Sequence, residues 1–357
     1  MIIRYGAFGE HAREQNNFNI IRHIAALAVL VAHSWALAFE GGRTDPISAF
    51  LTELLNKPTV ISGLAVKTFF IVSGYLVTRS MLEGANLKYY AASRALRIYP
   101  ALLVNVTLVT FLMGPLVTNL DLVSYLVHED TWDYFLNNLP MWNASYYLPG
   151  VFTDNPAGAG VNGSLWTLPA EIRCYLAVGV LFAVGFFRSR KVAVAGLILF
   201  MAADLYWPDA ELLGGAATAS VIRYFLMGAT FYLLKDLIPA NGTYALALLM
   251  GALLLPASPL QELLLSFAGC WTVLWIGAIL PPIGHGVLPS LLAKTDLSYG
   301  IYIYAFPIQQ LLINSGYSGE PIKLTILAAS LTTICAYCSW RFVERPALNR
   351  KKTFHAS

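Results

Sequence analysis

Charge is scarce in this chain of 357 residues. Asp, Glu, Lys and Arg supply 12% of it, against roughly 25% in a soluble globular domain. A soluble fold of this length would lack a polar shell. Apolar residues make up 57% of the sequence and the mean hydropathy is +0.61. Hydrocarbon must therefore solvate much of the exterior. An excess of one sign is missing too: the net charge is +3, with no basic face carrying interleaved aromatics. Nothing points to a nucleic-acid partner. Cysteine is sparse. Cys174, Cys270, Cys335 and Cys338 all lie in apolar stretches with no matching pair of histidines. No metal is expected, and the thiols read as buried apolar fillers. Internal repeats, low-complexity tracts and inverted symmetry are also absent.

Long apolar runs are what the sequence does have. A membrane span needs about 20 apolar residues, and ten segments meet or approach this: 18–39, 60–81, 98–118, 165–187, 192–207, 221–235, 242–257, 260–281, 297–315 and 321–343. The first is too long for the core of a signal peptide, so it reads as a retained span. Basic residues alternate between connections. Arg4 and Arg13 precede the first span. Arg79, Lys88, Arg94 and Arg97 lie between the second and third, and Arg188, Arg190 and Lys191 between the fourth and fifth. Lys235, Lys294 and the tail residues Arg345, Arg350, Lys351 and Lys352 continue the pattern. The connections 119–163, 208–220, 256–260 and 316–320 have none; Arg43 and Lys57 are the exceptions in the first outer loop. By the positive-inside rule both termini are cytoplasmic. The expected fold is all-α: a single polytopic transmembrane domain over 1–357 with about ten transmembrane helices, an outward loop at 119–163 and a short basic tail at 344–357.

Several polar residues interrupt the apolar runs. His33 lies about six residues from the outer end of the first span, roughly 9 Å below the boundary. An imidazole there can take a proton from an alcohol, as a general base must, or it can simply satisfy a neighbouring helix. Arg22 precedes it by eleven residues, close to three turns, so both project from one face about 16 Å apart. Together they outline a path across the membrane; alone, Arg22 could snorkel to the inner interface. Glu171 sits about seven residues into the fourth span, at a depth matching His33, and could orient the imidazole. Its rival role is a structural pairing with an arginine such as Arg223. Arg94 and Arg97 lie one turn apart before the third span, suited to bidentate phosphate binding or to ordinary inner anchoring. Lys67 interrupts the second span beside Ser73-Gly74, a small pair suited to close helix packing. The outer aromatics Trp132, Tyr134, Trp142, Tyr146 and Tyr147 could stack on sugars or belong to the interfacial belt.

These motifs, taken in order, resemble the membrane-bound acyltransferase-3 family. They are Arg22 with His33, Phe69-Phe70-Ile71-Val72-Ser73-Gly74-Tyr75-Leu76, Arg94-Ala95-Leu96-Arg97-Ile98-Tyr99-Pro100, Ser164-Leu165-Trp166-Thr167-Leu168-Pro169-Ala170-Glu171, Leu297-Ser298-Tyr299-Gly300-Ile301-Tyr302 and Phe342-Val343-Glu344-Arg345-Pro346. The resemblance implies an O-acyltransferase in the bacterial inner membrane. Its donor is cytoplasmic acyl-CoA, expected to be acetyl-CoA. Its acceptor is a carbohydrate or lipid-linked glycan, such as lipopolysaccharide or exopolysaccharide. It also implies that His33 acts as base or acyl carrier and that Arg94 and Arg97 hold the donor; the depth and face arguments above add Glu171 as support for His33 and Arg22 as a further donor contact. Trp166, Lys67 and Arg223 are carried as candidate substrate contacts. Two departures stand out: Ser93 takes the place of an arginine that many members have, and Ala305 that of a histidine. No soluble esterase-like domain is expected, so the chain finishes the transfer itself or hands the acyl group to a separate protein. The rival reading is a transporter or flippase using the same intramembrane charges; a structural scaffold would leave His33 and Glu171 unexplained.

Overall fold

The computed structural model describes residues 7–11, 16–207, 211–256, 258–281 and 295–351. Arg4, Arg13, Lys294 and Lys352 lie outside them. Among the described residues there is no β-strand, and one isolated bridge joins Ala7 to Pro239. The main helices are α1 (Phe18–Leu37), α2 (Ile61–Gly84), α3 (Leu87–Leu108, prolonged by a π-turn at Val109–Met113 and by Gly114–Val117) and α4 (Leu168–Ala183, led by a 3-10 turn at Gly163–Thr167). They continue as α5 (Arg190–Tyr206), α6 (Ala216–Leu233), α7 (Gly242–Leu253), α8 (Pro259–Ala278), α9 (Ser298–Leu312) and α10 (Pro321–Ser339, prolonged through Trp340–Glu344 and Arg345–Asn349).

Among the described residues, six helical stretches are long and apolar enough to cross a membrane: Phe18–Leu37, Ile61–Gly84, Leu87–Val117, Gly163–Ala183, Leu260–Ala278 and Pro321–Asn349. The other four expected segments also fall on helices, namely α5, α6, α7 and α9. The third helix begins at Leu87, well before the expected 98, where the Asn86 side chain accepts from the Tyr89 amide at 2.9 Å. Arg94 and Arg97 are therefore inside the helix and not in front of it. The apolar pattern broke there because this stretch lines a polar cavity. The cysteines divide: Cys174 and Cys270 are buried as expected, whereas Cys335 and Cys338 are exposed on α10. The correction is physical, since an apolar thiol suits a surface that faces lipid as well as a core.

α2 is the centre of the bundle and packs against α1, α4, α6 and α8. Its crossing with α6 depends on two glycines. A Cβ at Gly74 would sit 2.0 Å from the Phe225 carbonyl oxygen, and one at Gly228 would sit 2.3 Å from that of Ile71. Only hydrogen fits, so the backbones approach as small-residue membrane interfaces do. The expected packing role of the Ser73-Gly74 pair is what the structure shows for Gly74.

The loop 119–163 is built onto the bundle and not left free. Gln310 of α9 donates to the carbonyls of Gly158 and Gly160 at 3.0 and 2.7 Å, and Asn155 donates to the Gln310 side chain at 2.9 Å. Asn162 and Asn105 both donate to the Ile303 carbonyl, at 3.0 and 3.1 Å, tying the loop to α3 and α9. One end of the bundle therefore carries this loop. The other gathers the basic residues at the starts of α1 and α3 and the end of the C-terminal turn. The two exceptions to the charge alternation belong to the loop end and are locally satisfied: Lys57 pairs with Glu262 at 3.2 Å, and the Arg43 guanidinium lies 4.0 Å from the Phe39 ring centroid.

Candidate active site

A cavity of about 330 Å³ opens among α1, α2, α3, α4 and α9 at the basic end. Its wall includes Arg22, Arg94, Arg97 and Lys351, the carboxylates Glu171 and Asp296, and Ser73, Tyr175, Tyr299 and Tyr302. Leu348 and Lys351 come from the C-terminal turn, which packs on α3 and so closes one side.

Asp296, at the entry to α9, organises the floor. One oxygen accepts from Arg22 at 2.7 Å and from Arg97 at 2.6 Å; the other accepts from the Ser298 hydroxyl at 2.6 Å. Burial alone would raise the Asp296 carboxyl, but the two guanidinium groups outweigh it and hold the group well below the usual carboxylate range. Glu344 stands 3.8 Å behind Arg97, an ion-pair contact beyond hydrogen-bonding reach. His23 locks the same entry. Its Nδ1 lies 2.7 Å from the Asn19 carbonyl and its Nε2 accepts from the Leu297 amide at 3.1 Å. A carbonyl only accepts and an amide only donates, so the ring is a neutral Nδ1–H tautomer.

Arg94 and Lys351 are different. Among the described residues neither has a carboxylate within ion-pair distance. Arg94 donates weakly to Ser93 at 3.4 Å and lies 5.7 Å from the Tyr175 ring centroid. Burial beside Arg94 and Arg97 pushes the Lys351 ammonium down to about 8. Among the described residues of the wall, four cations thus face two carboxylates, one of which is already shared by Arg22 and Arg97, with Glu344 behind Arg97. A multiply charged anion fits this imbalance.

Glu171 belongs to this cavity. Its carboxylate accepts a short bond from Tyr175 one turn below, and the same hydroxyl lies 3.2 Å from Ser73 on α2. It makes no hydrogen bond to His33. Residue counting expected the two at one level, whereas Glu171 lines the basic cavity and His33 does not. His33 instead meets Phe306 of α9 edge-on, ring centroids 5.2 Å apart. The Phe306 ring also abuts Gly163 at the mouth of α4, where a Cβ would lie 2.7 Å away. His33 Nδ1 is buried with no hydrogen-bond partner. Such an orphaned group costs about 1–3 kcal/mol and calls for an explanation, of which a catalytic role is one. Arg22 is at the cavity, three turns below His33, so α1 does link the basic cavity to the histidine.

The candidate substrate contacts divide. The rival pairing of Glu171 with Arg223 is not seen: Arg223 donates a short bond to the buried Asp204 of α5. Lys67 lies 5.1 Å from the Tyr224 ring centroid, away from the cavity wall. Trp166 is half-buried against the core and also off that wall. Asp296, Tyr175 and Lys351 were missed by sequence reasoning. Asp296 directly precedes the Leu297-Ser298-Tyr299 motif, and Tyr175 follows Glu171 at the i,i+4 spacing that puts two side chains on one helical face. Either could have been read from that. Lys351 looked like ordinary tail anchoring. Among the described residues no cluster could hold a metal ion.

Apolar helices long enough to cross a membrane, packed around a cavity lined by Arg22, Arg94, Arg97 and Lys351, define a membrane protein with a polar internal site. The model of the acyltransferase-3 family, described as an acyltransferase domain, matches residues 15–341. The chain belongs to that family and is an acyltransferase moving groups other than amino-acyl groups. It is 28% identical to an O-acetyl transferase of Shigella phage Sf6 over 94% of this chain and 97% of that one. It is 26% identical to nodulation protein 10 of Rhizobium leguminosarum bv. viciae over 98% of each. It is 25% identical to O-acetyltransferase OatA of Staphylococcus aureus over 89% of this chain and 57% of that one. No solved structure matches.

Proposed function

We propose that the protein transfers an acetyl group from acetyl-CoA to a hydroxyl of a surface or exported carbohydrate. The observation that carries this is the cation excess of the basic cavity: among the described residues Arg94 and Lys351 have no carboxylate within ion-pair distance, and Arg22 and Arg97 share Asp296, with Glu344 a further contact of Arg97 at 3.8 Å. Coenzyme A supplies the phosphates that such a cluster takes up. The relatives whose names describe O-acetyl transfer support the acyl group.

In this reading the basic end is cytoplasmic, all ten segments span the inner membrane, and loop 119–163 faces out. Arg94, Arg97 and Lys351 hold the phosphates, and the pantetheine arm lies along α1 towards His33, roughly 16 Å above Arg22. His33 removes the proton from the acceptor hydroxyl as its oxygen attacks the thioester carbonyl. The C–S bond breaks, an O-acetyl ester forms, and the thiolate leaves with the proton that His33 took. An acyl-histidine relay uses the same nitrogen as nucleophile. Glu171 acts through Tyr175, whose hydroxyl it fixes between α2 and α4, and so shapes the passage between the cavity and the histidine. The test is release of coenzyme A thiol from labelled acetyl-CoA by purified protein with a glycan acceptor. Arg94→Gln is expected to raise the donor KM about tenfold, as loss of a charge-assisted bond would. An unchanged KM would sink the donor assignment.

A further inference from the structure

A second cavity, of about 600 Å³, lies on the far side of α4. It is a long groove among α4, α5 and α6. Ala177 and Leu181 of α4, Phe200 of α5 and Leu226 of α6 line its length, and Phe186 closes it at the basic end. Its surface is almost wholly apolar, and neighbouring side chains such as Val180 and Leu199 are exposed at 61% and 68%, as expected of a face turned to lipid. The volume falls within the range of ligand sites, about 300–1,000 Å³. Gly196 forms part of the floor, where a Cβ would approach the Phe186 ring to 2.8 Å.

One charged side chain stands at the mouth. Arg173 lies at the loop end, where one guanidinium nitrogen donates to the Trp142 carbonyl at 3.1 Å and the group lies 5.5 Å from the Trp142 ring centroid. Among the described residues it has no carboxylate partner. A guanidinium has five donor hydrogens, and this one spends a single one on the loop. A half-buried arginine at the edge of a hydrocarbon-lined groove is placed for a phosphate, with the alkyl part of the same molecule running down the groove. Glu171 and Arg173 are two residues apart on α4 and face opposite cavities. Groove and donor cavity are thus separated by one helix, about 10 Å across. Gly163, at the start of α4, abuts the Phe306 ring on which His33 rests.

We propose that this groove binds the isoprenoid tail of a polyprenyl-phosphate-linked glycan, with Arg173 on its phosphate, and so presents the acceptor from the loop end. This rests on the carbohydrate-acceptor reading above, but its test is independent of turnover. Purified full-length protein in phospholipid nanodiscs is irradiated with a long-chain polyprenyl phosphate bearing a diazirine in its tail, and labelled peptides are mapped. Labelling is expected on α4, α5 and α6, reduced about tenfold or more by Arg173→Gln and by Ala177→Trp, with thermal unfolding unchanged. Unlabelled polyprenyl phosphate should compete at least tenfold better than phosphatidylglycerol. Equal competition by phosphatidylglycerol makes the groove an ordinary lipid contact and overturns the proposal. So does labelling confined to other helices, or labelling indifferent to both variants. If labelling behaves as expected but no acetyl transfer occurs, the groove stands and the carbohydrate reading falls.

Discussion

Lys351 offers a quantitative handle on the donor cavity. It stands on the C-terminal turn, beside two arginines and, among the described residues, without a carboxylate within ion-pair distance, and its ammonium is pushed down to about 8 by burial and by Arg94 and Arg97. A lysine with a lowered value is charged below it and neutral above. Its attraction for a donor phosphate is therefore fully present below about pH 8 and is lost as pH rises through that value. Exposed ion pairs contribute 0–1 kcal/mol and charge-assisted bonds about 1.5–3 kcal/mol. For this half-buried side chain about 1.4 kcal/mol is reasonable, equivalent to about tenfold in donor KM. Wild-type protein should show a donor KM that climbs by up to about tenfold between about pH 7 and about pH 9.5, while Lys351→Met shows the raised KM at both ends. Lys351→Arg should stay at the low KM throughout, because guanidinium keeps its proton. Initial rates of thiol release against acetyl-CoA concentration would measure this. A flat wild-type profile, or a methionine variant with wild-type KM at pH 7, refutes a role for this lysine at the donor.

Three further outcomes follow from the geometry. Gly74→Leu must displace the Phe225 backbone, which a Cβ would approach to 2.0 Å; a loss of about 3 kcal/mol or failure to fold is expected, read by thermal unfolding in detergent. Asp296→Asn leaves Arg22 and Arg97 facing each other with no shared carboxylate, costing about 3 kcal/mol. Because the native carboxyl is held below its unfolded value, its contribution is present above about pH 4 and fades as pH falls; the acid-induced loss seen in wild type should be smaller in the variant. Tyr175→Phe removes the hydroxyl between Glu171 and Ser73. It should lower kcat about tenfold with little change in donor KM, and a change confined to KM would contradict a positioning role.

The helices were readable because lipid imposes long apolar runs, and each of the ten segments expected from the sequence lies on a helix. The close crossing at Gly74 was also readable, since small residues flanked by bulky ones have few other uses in a span. Direction around a helix was harder. Counting residues from the span ends put Glu171 level with His33, but Glu171 lies on the wall of the basic cavity and bonds to Tyr175, and an error of a residue or two in register amounts to 100–200°. The Asp296 cluster joins residues 274 and 199 positions apart, a pairing that no local spacing reveals. Lys351 and Arg97 both obey the positive-inside rule, which hides a site inside an ordinary pattern. Phe306 had no polar group to draw notice, and its importance lies in shape, as the ring against which the histidine rests.

Acetyl transfer by His33→Ala separates chemistry from binding more directly than any other measurement. The purified variant should bind acetyl-CoA with wild-type affinity, since Arg94, Arg97 and Lys351 are untouched, and should transfer no label to a glycan acceptor. Label appearing on the glycan at the wild-type rate would show that the orphaned imidazole is a structural residue and that the reaction runs elsewhere in the bundle.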